Sequence, residues 1–185
     1  MGYVVDLEVV KFASIECRLQ MSGELSVGWM VDGFIYAQDI ASKDGYINRS
    51  GKICQDRILP TVSDVINLGR LIEPNDNAYG FRTCGVQIGA EVKMDWEDIP
   101  RQVVNLMEAV RDGAFEPRSI GNGLSTTRNN GANEFFKAYE EIHPFRDGNG
   151  RTGAILFNWL NGTLYHPVWA NNFWNDPRRT VGYGA

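Results

Sequence analysis

The stretch His143-Pro144-Phe145-Arg146-Asp147-Gly148-Asn149-Gly150-Arg151 puts an imidazole, a carboxylate, two glycines and two guanidinium groups within nine residues. The apolar run Ile155-Leu156-Phe157, with Trp159-Leu160, follows at once. The stretch therefore reads as a loop that opens onto a buried helix. Gly148 and Gly150 let the backbone approach a ligand closely and adopt positive φ. Their N–H groups, with that of Asn149, can share one concavity at the start of the following helix, where the dipole favours an anion. Arg151 adds a planar donor fork suited to phosphate oxygens. Asp147 is a hard oxygen donor of the kind Mg²⁺ takes beside substrate phosphates. His143, ahead of a proline, carries an imidazole able to accept a proton from a hydroxyl. Phe145 reads as a core anchor. One by one these are turn residues and a structural histidine. Together they are the parts for phosphoryl or nucleotidyl transfer.

Working outward, Phe135, Phe136 and Tyr139 predict a helix over 133–142 that delivers the chain to His143, and a second helix runs from Thr152 to Asn161. Val5, Val9, Phe12, Ile15 and Leu19 are spaced for a first helix over 4–20, with Gly23 as its stop. Trp29, Met30, Phe34 and Ile35 line the inner face of a helix from Ser26 to Ala41. Residues 42–53, rich in Gly, Asp, Asn and Ser, read as an exposed loop or short hairpin. A helix from Ser63 to Leu71 takes Ser63 as its N-cap. Phe81, Thr83, Val86 and Ile88 favour extended structure and predict a β-hairpin over Phe81–Ala90. Asp98 and Pro100 open a helix that Gly113 ends, and 114–131 is loop-rich. The tail holds Trp169 and Trp174. The expectation is a mainly α, single domain over 1–185, with N-terminal helices (1–72), a core (79–161) and a tail (162–185).

The chain has 185 residues, 43% of them hydrophobic and 22% charged, which suits one domain with a sizeable core. A net charge of -5 argues against general nucleic-acid binding, which needs a basic surface. Cys17, Cys54 and Cys84 have neither disulfide-framework nor zinc spacing and read as reduced thiols of a cytoplasmic protein. Asp6 and Glu8 interrupt the first apolar run, so no signal peptide is expected. No apolar stretch approaches the roughly 18 residues of a membrane span.

The nine-residue run resembles the signature of the Fic family, His-Pro-Phe-x-Asp/Glu-Gly-Asn-Gly/Lys-Arg, at every fixed position. Gly80-Phe81-Arg82-Thr83 with Val86-Gln87-Ile88-Gly89 resembles that family's flap hairpin. The resemblance covers about residues 79–161. It implies a Fic-fold helical bundle with one small β-hairpin flap, and AMP transfer from ATP to a Ser, Thr or Tyr hydroxyl of a target protein. On this reading His143 deprotonates the hydroxyl and Asp147 holds Mg²⁺ on the phosphates. Gly148, Asn149 and Gly150 form the anion cradle, and Arg151 stabilises the leaving pyrophosphate. Phe81, Arg82, Thr83, Val86, Gln87 and Ile88 form the flap that docks the target by strand addition. The partners implied are that target, an antitoxin, or the chain itself as a self-modification substrate, with neither nucleic acid nor membrane.

Two positions depart from the family pattern. Many members carry a second arginine three residues after the first, and here that position is Ala154. The inhibitory glutamate motif of autoinhibited members is matched only by Glu16, with Phe12 and Cys17 at its other positions. Glu16 thus reads either as a solvated or capping residue or as a degenerate inhibitory position, and self-inhibition is not expected to be intact. Two alternatives to AMP transfer stay open: transfer of another nucleotide or of phosphate, as in Doc-like kinases, and a module that binds nucleotide or protein without turnover.

Overall fold

The computed structural model describes residues 6–41, 45–47, 53–55, 58–116 and 128–171. Trp174 and Val5 lie outside them. In chain order the elements are α1 (Leu7–Leu19), α2 (Leu25–Ala41), β1 (Gly45–Ile47), β2 (Ile53–Gln55) and α3 (Val62–Ile72), then β3 (Gln87–Ile88), β4 (Glu91–Val92), α4 (Ile99–Arg111), α5 (Arg128–Ile142) and α6 (Asn149–Asn161). The chain is mainly helical, as its periodicity indicates. The organising element is α6. From Arg151 to Trp159 every residue is buried, the signature of a helix surrounded by others. Helices α5, α2 and α3 pack around it, and α1 and α4 close the outside against α2 and α5. One continuous core runs from Val9 and Phe12 of α1 through Phe34, Leu68, Val103 and Phe135 to Ile155, Leu156 and Trp159.

The helix ends show where local chemistry decides. In α1, Asp6 caps by accepting a hydrogen bond from the Glu8 N–H at 2.9 Å. Its buried stripe is Val9, Phe12, Ala13, Glu16 and Cys17, an i, i+3, i+4, i+7, i+8 set. Of the apolar residues whose spacing indicated this helix, Ile15 lies outside the stripe and is 39% exposed. The stop is also earlier than Gly23: Met21 takes a left-handed φ of 54° just past the C-cap Gln20. In α3 the cap is Thr61 rather than Ser63. Thr61 and Asp64 form a capping box, each side chain bonding the other's backbone N–H.

Helix α5 begins at Arg128, five residues before the expected start, which shortens the preceding loop. Helix α6 begins at Asn149, not Thr152. The cause is the Asn149 side chain, which accepts from the Phe145 N–H and donates to the Phe145 carbonyl, both at 2.8 Å. That pair of hydrogen bonds closes the loop over 145–149 and leaves Asn149 as the first helical residue.

Two antiparallel ribbons are present among the described residues, one in the segment read as a loop or short hairpin and one in the expected flap. The first pairs β1 with β2, Gly45↔Gln55 to Ile47↔Ile53. The second pairs β3 with β4, Gln87↔Val92 and Ile88↔Glu91. The predicted hairpin over Phe81–Ala90 is therefore displaced toward the C-terminus. The start of the expected run is not strand because the Arg82 N–H donates to the Pro144 carbonyl at 2.9 Å, whereas the Val86 carbonyl still accepts across the ribbon from the Lys93 N–H at 3.0 Å. Phe81 packs on Phe145, ring centroids 5.6 Å apart.

Candidate active site

The loop over 143–148 is seated from below by Phe145. Its ring lies against Gly69 of α3, where an added Cβ would come within 2.2 Å of it. From the side, the buried Asn77 donates to the carbonyls of Gly69 (3.0 Å) and Asp147 (2.9 Å), tying the loop to the end of α3. Gly148 then takes φ 74° as the N-cap of α6. No side chain caps that helix. Its first-turn N–H groups are thus directed out of the helix without a side-chain acceptor, the arrangement that binds anions. Of the three N–H groups expected in the cradle, that of Gly148 is taken, donating to Asp147 Oδ1 at 2.6 Å, which leaves those of Asn149 and Gly150. The Asn149 side chain is not part of the cradle, because both its polar atoms are bonded to Phe145.

Arg151 is 1% exposed. Its Nη2 meets Glu73 Oε1 at 2.5 Å and lies 3.7 Å from Asp147 Oδ1. Its Nε and Nη1 are buried without a hydrogen-bond acceptor. A cleft of about 600 Å³ opens here, lined by Glu73, Asp147 and Arg151 on one side and by Gln20, Leu25 and Trp29 on the other. Glu73, Asp76 and Asp147 each offer a carboxylate oxygen, all within 4.8 Å of one another. Three hard oxygen donors at one rim, two of them exposed, fit a Mg²⁺ ion that shares its remaining positions with phosphates and water.

His143 lies at the far end of the loop from Arg151. Its φ is 49°, an uncommon conformation for a residue with a Cβ. Both backbone groups hold it there: its N–H donates to the Tyr139 carbonyl at 2.9 Å, and its carbonyl accepts from Arg82 Nε at 2.8 Å. Its Nδ1 lies 3.5 Å from Glu140 Oε2. Arg82, expected on the docking face, is instead buried. Its other donors go to the carbonyls of Cys84 (2.6 Å) and Met94 (2.5 Å), and burial lowers its pKa from the ordinary value. It is a pin between flap and loop. Phe81 is likewise half buried against Phe145. Thr83, Gln87 and Ile88 are exposed and Val86 is half buried, so the outward part of the flap is the 83–92 segment.

Glu16 is neither solvated nor a cap. It is 3% exposed, and its carboxylate accepts from Gln20 Nε2 (2.6 Å) and Trp169 Nε1 (2.9 Å). The Gln20 amide in turn lies over the start of α6, where a Cβ on Gly150 would come within 2.7 Å of its nitrogen. Glu16 thus holds the Gln20 amide beside the first turn of α6. Ala154 is buried and offers no cation.

The sequence reading passed over Glu73, Asp76, Asn77, Gln20 and Glu140. Only Glu140 had a local signal, three residues before His143 on the same helix. The others reach the loop from distant segments. Residues 130–161 match the sequence model of the Fic/DOC family. No curated protein sequence matches the chain significantly. Solved structures do match, among them a fragment of Fic-1 from C. elegans carrying a point substitution. It is 16% identical, with a TM-score of 0.45, and the match covers 80% of this chain and 39% of that one.

Proposed function

We propose that this chain, a Fic/DOC-family protein by its segment 130–161, is a Fic-type transferase that moves AMP from ATP to a Ser, Thr or Tyr hydroxyl of a target protein. The observation that carries the reading is the buried Arg151, with two donors lacking acceptors, beside an uncapped helix N-terminus and an open cleft. Such a site is built for an anion with several oxygens. The target hydroxyl attacks the α-phosphorus, the bond to pyrophosphate breaks, and the hydroxyl proton passes to His143. The first-turn N–H groups of α6 hold the phosphates, and Arg151 takes charge on the departing pyrophosphate. Asp147, with Glu73 and Asp76, would hold Mg²⁺, which when bound neutralises phosphate charge. The exposed β3–β4 ribbon supports docking of the target backbone by strand addition.

A second reading rests on Ala154. With no cation one turn beyond Arg151, the far end of a triphosphate gains little hold, which favours another nucleotide or phosphate itself as the group moved. The deciding assay incubates the chain with lysate and ATP labelled at the α- or γ-phosphate, beside His143→Ala and a self-labelling control. His143-dependent α-label supports AMP transfer, and γ-label supports phosphate transfer. No His143-dependent label with any nucleotide leaves a binding module.

A further inference from the structure

Glu140 has a buried carboxylate that the transfer chemistry above does not use. It is 1% exposed, and its Oε1 has no hydrogen-bond donor. An ionised group in such a place is costly unless something compensates it. The nearest candidate is His143 Nδ1, itself buried without a conventional hydrogen bond and 3.5 Å from Glu140 Oε2. The unbonded Nδ1 faces the other oxygen of that carboxylate, Oε2, at the limit of hydrogen-bond length. Catalytic contacts are often this long before substrate binds and shorten when it does.

The surrounding backbone leaves the imidazole one remaining freedom. The His143 N–H and carbonyl are both bonded, to Tyr139 and Arg82, so its Cα cannot move without breaking them. Only the side-chain torsions and the tautomer stay open. Glu140 sits three residues earlier, in the last turn of α5, where a helix places i and i+3 side by side. A carboxylate accepts a hydrogen bond and cannot donate one when ionised.

We propose that Glu140 is a positioning residue that fixes His143 as the Nδ1–H tautomer and so leaves the Nε2 lone pair for the target hydroxyl. The role in turnover rests on the transfer reading; the tautomer does not. As the hydroxyl oxygen bonds to phosphorus, its proton moves to Nε2. The resulting imidazolium is stabilised by the Glu140 carboxylate until the proton leaves to solvent.

The test reads the imidazole nitrogens directly. The chain has two histidines, so a His166→Ala variant assigns the His143 signals in long-range ¹H–¹⁵N spectra. The expected result is a neutral His143 protonated at Nδ1 in the wild type, and a mixture of tautomers in Glu140→Leu. Protonation at Nε2 in the wild type overturns the proposal with no variant needed, even if Glu140→Leu does not fold. An unchanged His143 spectrum in a folded Glu140→Leu, which keeps no acceptor, also overturns it. If label transfer is observed, kcat of Glu140→Gln falls roughly 10²-fold or more with the nucleotide KM unchanged, and Glu140→Asp recovers part of it. An undiminished kcat removes the positioning role. Absence of transfer in the wild type sinks the transferase reading and leaves the tautomer result standing.

Discussion

At the scale of single residues, the balance of the site is set by what touches Arg151. A guanidinium this buried needs an anion, and Glu73 supplies it at 2.5 Å. Breaking a buried pair by removing one partner costs about 3–5 kcal/mol, because the other charge is left uncompensated. Glu73→Ala is therefore expected to lower the unfolding free energy by about that much in urea titrations. Pyrophosphate should restore part of the loss, since its oxygens can take the donors that Glu73 leaves. If pyrophosphate moves the midpoint of neither wild type nor variant, Arg151 is not a phosphate ligand. Gly148 makes a second single-residue test. Its φ of 74° is unfavourable for any other residue, and a Cβ would come within 2.6 Å of Ile72 Cγ2 and 3.0 Å of Glu73 Cγ. Gly148→Ala is expected to lose about 1–3 kcal/mol of stability, and to disturb the Glu73–Arg151 pair, readable as a lower affinity for nucleotide in calorimetry.

At the scale of elements, the flap and the motif loop behave as one unit because Arg82 serves three carbonyls, those of His143, Cys84 and Met94. A lysine cannot reproduce that planar fork. Arg82→Lys should raise hydrogen-exchange rates across residues 81–94 and at His143–Phe145 together, at a stability cost of about 2 kcal/mol. Faster exchange in the flap alone would show that the two move independently. This coupling also explains what could be read from the chain and what could not. The loop over 143–151 was legible because its order comes from neighbours in sequence: Asn149 closes on Phe145, and Gly148 turns the chain into α6. The flap's register was not legible. Arg82 reads as a surface residue of an extended run until the carbonyls 61 and 62 positions away draw it inward. Glu16 was misjudged for a related reason. The stripe Val9, Phe12, Ala13, Glu16, Cys17 includes a charge, and only Trp169, 153 residues later, accounts for its burial. Glu73 lay in a segment with no periodic pattern to mark it.

At the scale of the whole molecule, the described core joins all six helices, so ionisable groups inside it tie global stability to pH. Among the described residues no helix is long and apolar enough to cross a membrane. Cys17 is the clearest titrating core group. Burial pushes its thiol from 9.0 up to about 11, the nearby Arg151 opposes the rise, and Glu16 and Glu73 add to it. The folded chain thus binds the thiol proton more tightly than the unfolded chain. The contribution is complete below about pH 9 and is lost as pH climbs through 11. A shift of about two units corresponds to about 2–3 kcal/mol. Tyr139, wholly buried and raised well above its usual 10, acts in the same direction at still higher pH. Urea unfolding of the wild type should therefore weaken steeply between pH 9 and 11. Cys17→Ala costs stability at every pH through the small cavity it leaves, but that cost is independent of pH. Its curve should start lower and run flatter, so that its gap to the wild type changes by about 2–3 kcal/mol between pH 9 and 11. Parallel curves would mean that the thiol binds its proton equally in both states, and that the alkaline loss belongs to Tyr139 and the surface.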